Sequence, residues 1–152
     1  MDDDAFRRAY QEVDGRACPF EKAILTNHAG CARARRFCIA EREGVHCSND
    51  LAQERCLAFL DLVRQQGRFA LKDLDAQAAL THAKSMRVQI GGLRAVALTL
   101  SPEDPIPERI ADIDGLLRAA FAELGALEAL PAQTIIQQVA AYRGRRPGRR
   151  AR

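Results

Sequence analysis

All five cysteines of this chain fall between Cys18 and Cys56, and the residues on either side of that block contain none. Thiols crowded into one short block must be bridged, bound to a metal or buried, and each choice limits the fold. The start, Met1-Asp2-Asp3-Asp4, is acidic and no apolar run follows it, so no signal peptide is expected. No apolar stretch approaches the ~20 residues of a membrane span. The expected compartment is cytoplasmic, where thiols stay reduced and act as ligands or core residues rather than disulfides.

The spacing is C-x12-C-x6-C-x8-C-x8-C. It contains no CxxC knuckle of the zinc-ribbon or bacterial-ferredoxin kind, so position carries the argument. Cys18 directly precedes a Pro-led helix start and Cys47 a Ser48-capped one. Both would meet unpaired N–H groups and the positive end of a helix dipole, which favour thiolate. Read as helical, the Cys31–Glu43 segment sets Cys31 and Cys38 ~10.5 Å apart along one face. Sulfurs on one zinc stand only about 3.8 Å apart, given Zn–S of about 2.3 Å. That separation favours the larger, four-cornered [4Fe–4S] cluster over zinc.

Cys56 lies on an apolar helical face with Phe59 and Leu60 and reads as a core cysteine. The expected ligand set is therefore Cys18, Cys31, Cys38 and Cys47. Zinc, the alternative, would recruit His28 or His46. His82 reads as an ordinary surface residue. Cys with His as nucleophile and base has no third orienting residue here. Gly91-Gly92 is too short for a phosphate loop, and no paired-carboxylate site is evident.

Hydrophobic residues make up 47% and aromatics 5%, with no Trp, so Ala, Leu, Ile and Val must build the core. That composition suits an all-α fold, an irregular helical bundle. Helices are expected at 2–13, from Cys18 to about Thr26, over Cys31–Glu43, and from about Asn49 to Gln66. Another would start at Asp73 or Asp75 and reach His82 or Ala83. Alternation before Gly91-Gly92 signals a short β-hairpin near 86–98, with helix after the glycines. Ile110, Ile113, Leu117, Phe121 and Leu124 define a helix ending at Gly125, and Pro131 starts the last one. The chain thus divides into a cysteine-bearing module at 1–105, with its metal site at 18–47, a C-terminal helical hairpin at 106–142, and an Arg-rich tail at 143–152.

The tail holds six Arg and no acid. Removing those six from 23 basic residues leaves 17 against 20 acidic ones, a slightly acidic body. Such a tail can contact nucleic-acid phosphates, dock on an acidic partner or stay solvated. Arg33, Arg35 and Arg36 place further positive charge beside the cysteines, where it can neutralise an anionic cluster or receive an acidic redox partner. A small helical chain with four cysteines and a basic tail resembles the WhiB-type iron–sulfur regulators. It lacks their central CxxC and their Trp-containing Gly-rich turn, so none of that family's residues is carried over.

The expectation is a non-enzymatic [4Fe–4S] protein, working in electron transfer with a protein partner or as an accessory subunit of a redox enzyme. Four cysteines fill four cluster corners and leave no open iron for substrate. The alternatives are a redox-sensing regulator that binds nucleic acid through 143–152, and a zinc-stabilised helical adaptor.

Overall fold

The computed structural model describes residues 16–143. The expected helix at 2–13 and the tail from 144 onward lie outside the described residues. The described chain is mostly helical with one small antiparallel sheet. None of its helices is long and apolar enough to cross a membrane.

Helix α1 (Glu21–Leu25) begins just after Pro19 and ends at Asn27, whose φ of 62° is left-handed. The next segment corrects the helical expectation for Cys31–Glu43. Strands β1 (Ala34–Ile39) and β2 (Arg42–Cys47) form an antiparallel hairpin, with Ala34 opposite Cys47 and Ile39 opposite Arg42. Ala40 and Glu41 make its turn, with φ of 49° and 74°. Positive φ at both central residues is the mark of a type I′ turn, which favours Asn-Gly. Ala-Glu is a helix-forming pair, so the local signal pointed the wrong way, and the hairpin is imposed by its surroundings. Residues 16–18 run along the other edge of β2: Cys18 N–H donates to the Val45 carbonyl (3.0 Å) and Cys47 N–H to that of Arg16 (2.8 Å).

Left-handed geometry at Ala and Glu is strained by roughly 1–2 kcal/mol per residue. The double change Ala40→Asn with Glu41→Gly is therefore expected to stabilise the protein by about 1 kcal/mol. Urea titration checks this, and an unchanged midpoint would show that the turn carries no strain.

Helix α2 (Asp50–Gln66) is the central element. Its cap is Asn49 rather than Ser48: the Asn49 Oδ1 accepts from Ala52 N–H at 2.9 Å. Ala52, Cys56, Phe59 and Val63 form its buried face. Phe20 stacks on Phe59 with ring centroids 6.3 Å apart, joining α1 to this core. A short α3 (Arg68–Leu71) ends at Lys72 in left-handed geometry.

No helix runs from Asp73 to Ala83. The Arg64 guanidinium holds that segment as a loop, donating to Asp73 (Nε–Oδ2 2.7 Å, Nη2–Oδ1 3.2 Å) and to the carbonyls of Asp75 (3.0 Å) and Ala78 (2.7 Å). Those hydrogen bonds hold the Asp73 carboxyl below its ordinary pKa. A depressed folded-state pKa adds stability that is complete above the unfolded value and lost as pH falls through the folded one. Asp73→Asn should therefore lower stability at pH 7, with the gap to wild type closing in acid below about pH 4. A gap of equal size at pH 7 and pH 3 would assign the contact no electrostatic role.

The 86–98 region is helix, not hairpin. Thr81 caps α4 (His82–Met86), which passes through a π-helical turn (Arg87–Gly91) into α5 (Gly92–Leu100). The two glycines serve close packing: a Cβ on Gly91 would stand 2.8 Å from the Val139 Cα, and one on Gly92 2.9 Å from the Val63 Cγ2. Within this helix the buried Gln89 accepts, at its Oε1, the Ala23 N–H of α1 at 3.0 Å.

Helix α6 (Ile113–Leu124) ends at Gly125, whose φ of 82° is a left-handed cap. Ile110 precedes it, and Phe121, expected on the inner stripe, is 53% exposed; Ile113, Asp114, Leu117 and Ala120 face inward instead. After a 3₁₀ turn (Leu127–Ala129), α7 (Ala132–Ala141) follows Pro131 and buries Ile135 and Val139. The last two helices do not pair chiefly with each other, as the helical-hairpin expectation had it. Helix α6 packs on α5 and α2, while α7 packs on the π turn, α5, α2 and α3.

Candidate metal centre

Cys18, Cys31, Cys47 and Cys56 come from the 16–18 edge, the loop before β1, β2 and α2, and Cys56 lies within electrostatic range of the other three. Cys18 and Cys47 share the inward face of β2 and its edge segment, since Cys18 pairs with Val45 and Arg16 with Cys47. Helix α2 packs on β2 and presents Cys56 from its buried face. Cys31 arrives on a loop pinned to the start of α6: Gly30 N–H donates to Ile110 O (2.8 Å), Ile113 N–H to Gly30 O (2.9 Å), and Ala32 N–H to Asp112 Oδ1 (2.9 Å).

The four thiols stand within electrostatic range of one another. Burial pushes the Cys18 thiol up to about 12, and charge on Cys31 or Cys47 raises it further. Burial likewise pushes Cys56 up, with added contributions from Cys18, Cys31 and Cys47. Cys31 is raised by burial too.

Opposing that burial, backbone donors point at sulfur: the Phe20 N–H at Cys18, and the Arg33 (3.4 Å) and Asp114 N–H groups at Cys31. N–H groups aimed at sulfur stabilise a thiolate. The Cys47 thiol donates to the Asn49 carbonyl at 3.2 Å. Among the described residues no group of three or more His, Cys, Asp or Glu is arranged to hold a metal ion as it stands.

Of the four expected ligands, Cys18, Cys31 and Cys47 lie near one another in the fold and Cys38 lies apart. Cys38 lies on β1 four residues beyond Ala34, the partner of Cys47, roughly 13 Å along the strand, and it is exposed. Cys56 is buried, as its reading as a core cysteine expects, and lies within electrostatic range of Cys18, Cys31 and Cys47. The helical geometry used to separate Cys31 from Cys38 lapses, because that segment is a loop and a strand. His46 stacks on Phe37 across the hairpin, with centroids 6.0 Å apart. His28 hydrogen-bonds with Thr26 Oγ1 (2.8 Å).

Asp114, 2% exposed, sits beside Cys31 and Cys56 and binds three guanidiniums: Arg118 (3.0 Å), Arg55 (3.1 Å) and Arg33 (3.5 Å). Asp112 and Asp114 both raise the Cys31 thiol, and Glu21 raises that of Cys18, so the positive charge of the arginines offsets carboxylate charge beside the thiols. Arg33 and Arg118 are about half exposed, so part of this charge faces outward.

Raised thiols are poor nucleophiles. In metal-free protein at neutral pH, iodoacetamide should modify Cys38 at least about tenfold faster than Cys18 or Cys56. Peptide mass spectrometry over a time course reads the order, and early labelling of Cys18 or Cys56 would contradict the burial described above.

These elements define a mostly helical protein with one small antiparallel sheet. Compared with known proteins, the chain matches no family model, no curated protein and no solved structure.

Proposed function

We propose that this chain is an iron–sulfur protein holding a [4Fe–4S] cluster through Cys18, Cys31, Cys47 and Cys56. Its role is electron transfer to a protein partner, or service as an accessory subunit of a larger redox enzyme. The observation that carries this reading is the convergence of four buried or half-buried thiols from four separate segments, with backbone N–H groups directed at two of them. When bound, such a cluster supplies one-electron chemistry.

The donor set fits the group. Four thiols match four cluster corners in number. The chain's own residues have three tasks. The Phe20, Arg33 and Asp114 N–H groups stabilise negative sulfur, the Asp114-bound arginines offset the charge, and α2 with the hairpin shields the site from water. Loading requires the thiols to give up protons, so metal uptake weakens as pH falls. Half-exposed Cys31, beside Arg33, is the point of the site nearest an acidic redox partner.

Iron, sulfide and zinc analysis with a visible spectrum, on protein purified without oxygen, tests the proposal. About four iron and four sulfide per chain are expected. Zinc without colour would replace the redox role with a zinc-stabilised adaptor, and protein without metal would end both readings.

A further inference from the structure

A second site lies away from the thiols, where the end of α1, the start of α4, the π turn, α5 and the end of α7 enclose a cavity of about 950 Å³. Its charged lining is three arginines, Arg87 from the π turn, Arg94 from α5 and Arg143 after α7, and His28 and His82 also line it. No Asp or Glu lines it. Among the described residues none of these three arginines is paired with a carboxylate. Arg87 instead spends its Nε on the Val139 carbonyl (3.0 Å), and Arg94 lies over the Tyr142 ring, 5.8 Å from its centroid. Burial lowers the Arg87 pKa, and the charge of Arg143 lowers it further.

The wall is held in place from behind. Thr26 Oγ1 donates to the Lys22 carbonyl (2.7 Å) and lies 2.8 Å from His28 Nδ1, and His28 Nε2 lies 3.4 Å from the Tyr142 hydroxyl. Met86 and Ala83 add an apolar strip wide enough for a carbon skeleton. A π-helical turn in the wall is a further pointer, since such turns recur at functional sites.

From this geometry we infer that the cavity binds a small organic polyanion, a molecule with two or more adjacent phosphate or carboxylate groups bridging Arg87, Arg94 and Arg143. Guanidiniums suit such groups because their planar donor forks engage oxyanions in pairs. The site is independent of the cysteine centre and does not rest on its metal.

Calorimetric titration of the protein as purified, with inorganic pyrophosphate in one arm and citrate in the other, tests the inference. One saturable site is expected in at least one arm, weakening with added salt. Pyrophosphate alone would assign phosphate esters, citrate alone polycarboxylates, and both a general polyanion site. Arg94→Gln should weaken binding about tenfold or more. Arg87→Gln should do likewise if it folds, and Arg68→Gln, an exposed arginine outside the cavity, should leave binding unchanged. No saturable binding in either arm, or equal weakening in Arg94→Gln and Arg68→Gln, would overturn it.

Discussion

Protein carrying Cys56→Ala is expected to emerge from oxygen-free purification colourless, with iron far below that of wild type, while Cys38→Ser keeps its colour and its iron. The reasoning is geometric. Cys56 lies on the buried face of α2, within electrostatic range of Cys18, Cys31 and Cys47, whereas Cys38 is exposed far along β1. Removing one of four thiolates leaves a corner of the centre without a protein ligand. Second variants separate this effect from damage to the fold. Cys56→Ala removes a sulfur and leaves a small cavity, whereas Cys56→Ser buries a hydroxyl, which costs about 1–3 kcal/mol if unpartnered. If both fold by circular dichroism and both are colourless, the ligand role stands. If Cys56→Ala keeps its iron and Cys38→Ser loses it, the ligand set is Cys18, Cys31, Cys38 and Cys47 after all.

Gly91→Ala should be the most damaging single methyl that can be added to the helical core. The new Cβ would stand 2.8 Å from the Val139 Cα, 2.9 Å from the Gln138 carbonyl and 3.0 Å from the Val139 N. All three are backbone atoms, so no side chain can rotate away, and α7 must move off the π turn. Overpacking of this kind costs roughly 1–3 kcal/mol and sometimes more. Better helix propensity for Ala returns up to about 1 kcal/mol. A net loss of about 2 kcal/mol lowers the thermal midpoint by roughly 4–8 °C in a chain of this size. Gly92→Ala meets the Val63 and Phe59 side chains, which can shift, so its loss should be smaller. A neutral Gly91→Ala would mean that α7 sits less tightly on the π turn than described.

Both results concern positions that the sequence signals but does not explain. Cys56 is visible as an apolar-face cysteine, and its helix is read correctly almost to the residue. Helical period alone cannot say which neighbour that face meets, and a core cysteine and a buried ligand look the same in one dimension. The Gly91-Gly92 pair has the same ambiguity. Two glycines after an alternating run suggest a turn, yet a missing Cβ equally lets two helices approach, and only the arrival of α7 and α2 distinguishes these uses. The cationic cavity was wholly hidden, because Arg87, Arg94 and Arg143 come from separate elements and form no motif.

The sequence by itself determined the mostly helical character, the span and apolar face of α2, the stops at Gly67 and Gly125, the start after Pro131, and the block of thiols that must be accommodated. These are local properties, set by period, cap and breaker chemistry within a few residues. Tertiary structure decided that Ala34–Cys47 is a hairpin despite a helix-forming Ala-Glu at its turn, because the 16–18 edge and α2 hold β2 in place. It also decided where each cysteine lies. Cys31 is held at the start of α6, and Cys38 is carried outward on β1. Cys56 comes near Cys18 and Cys47 from the buried face of α2, because packing across the core, and not distance along the chain, brings them close.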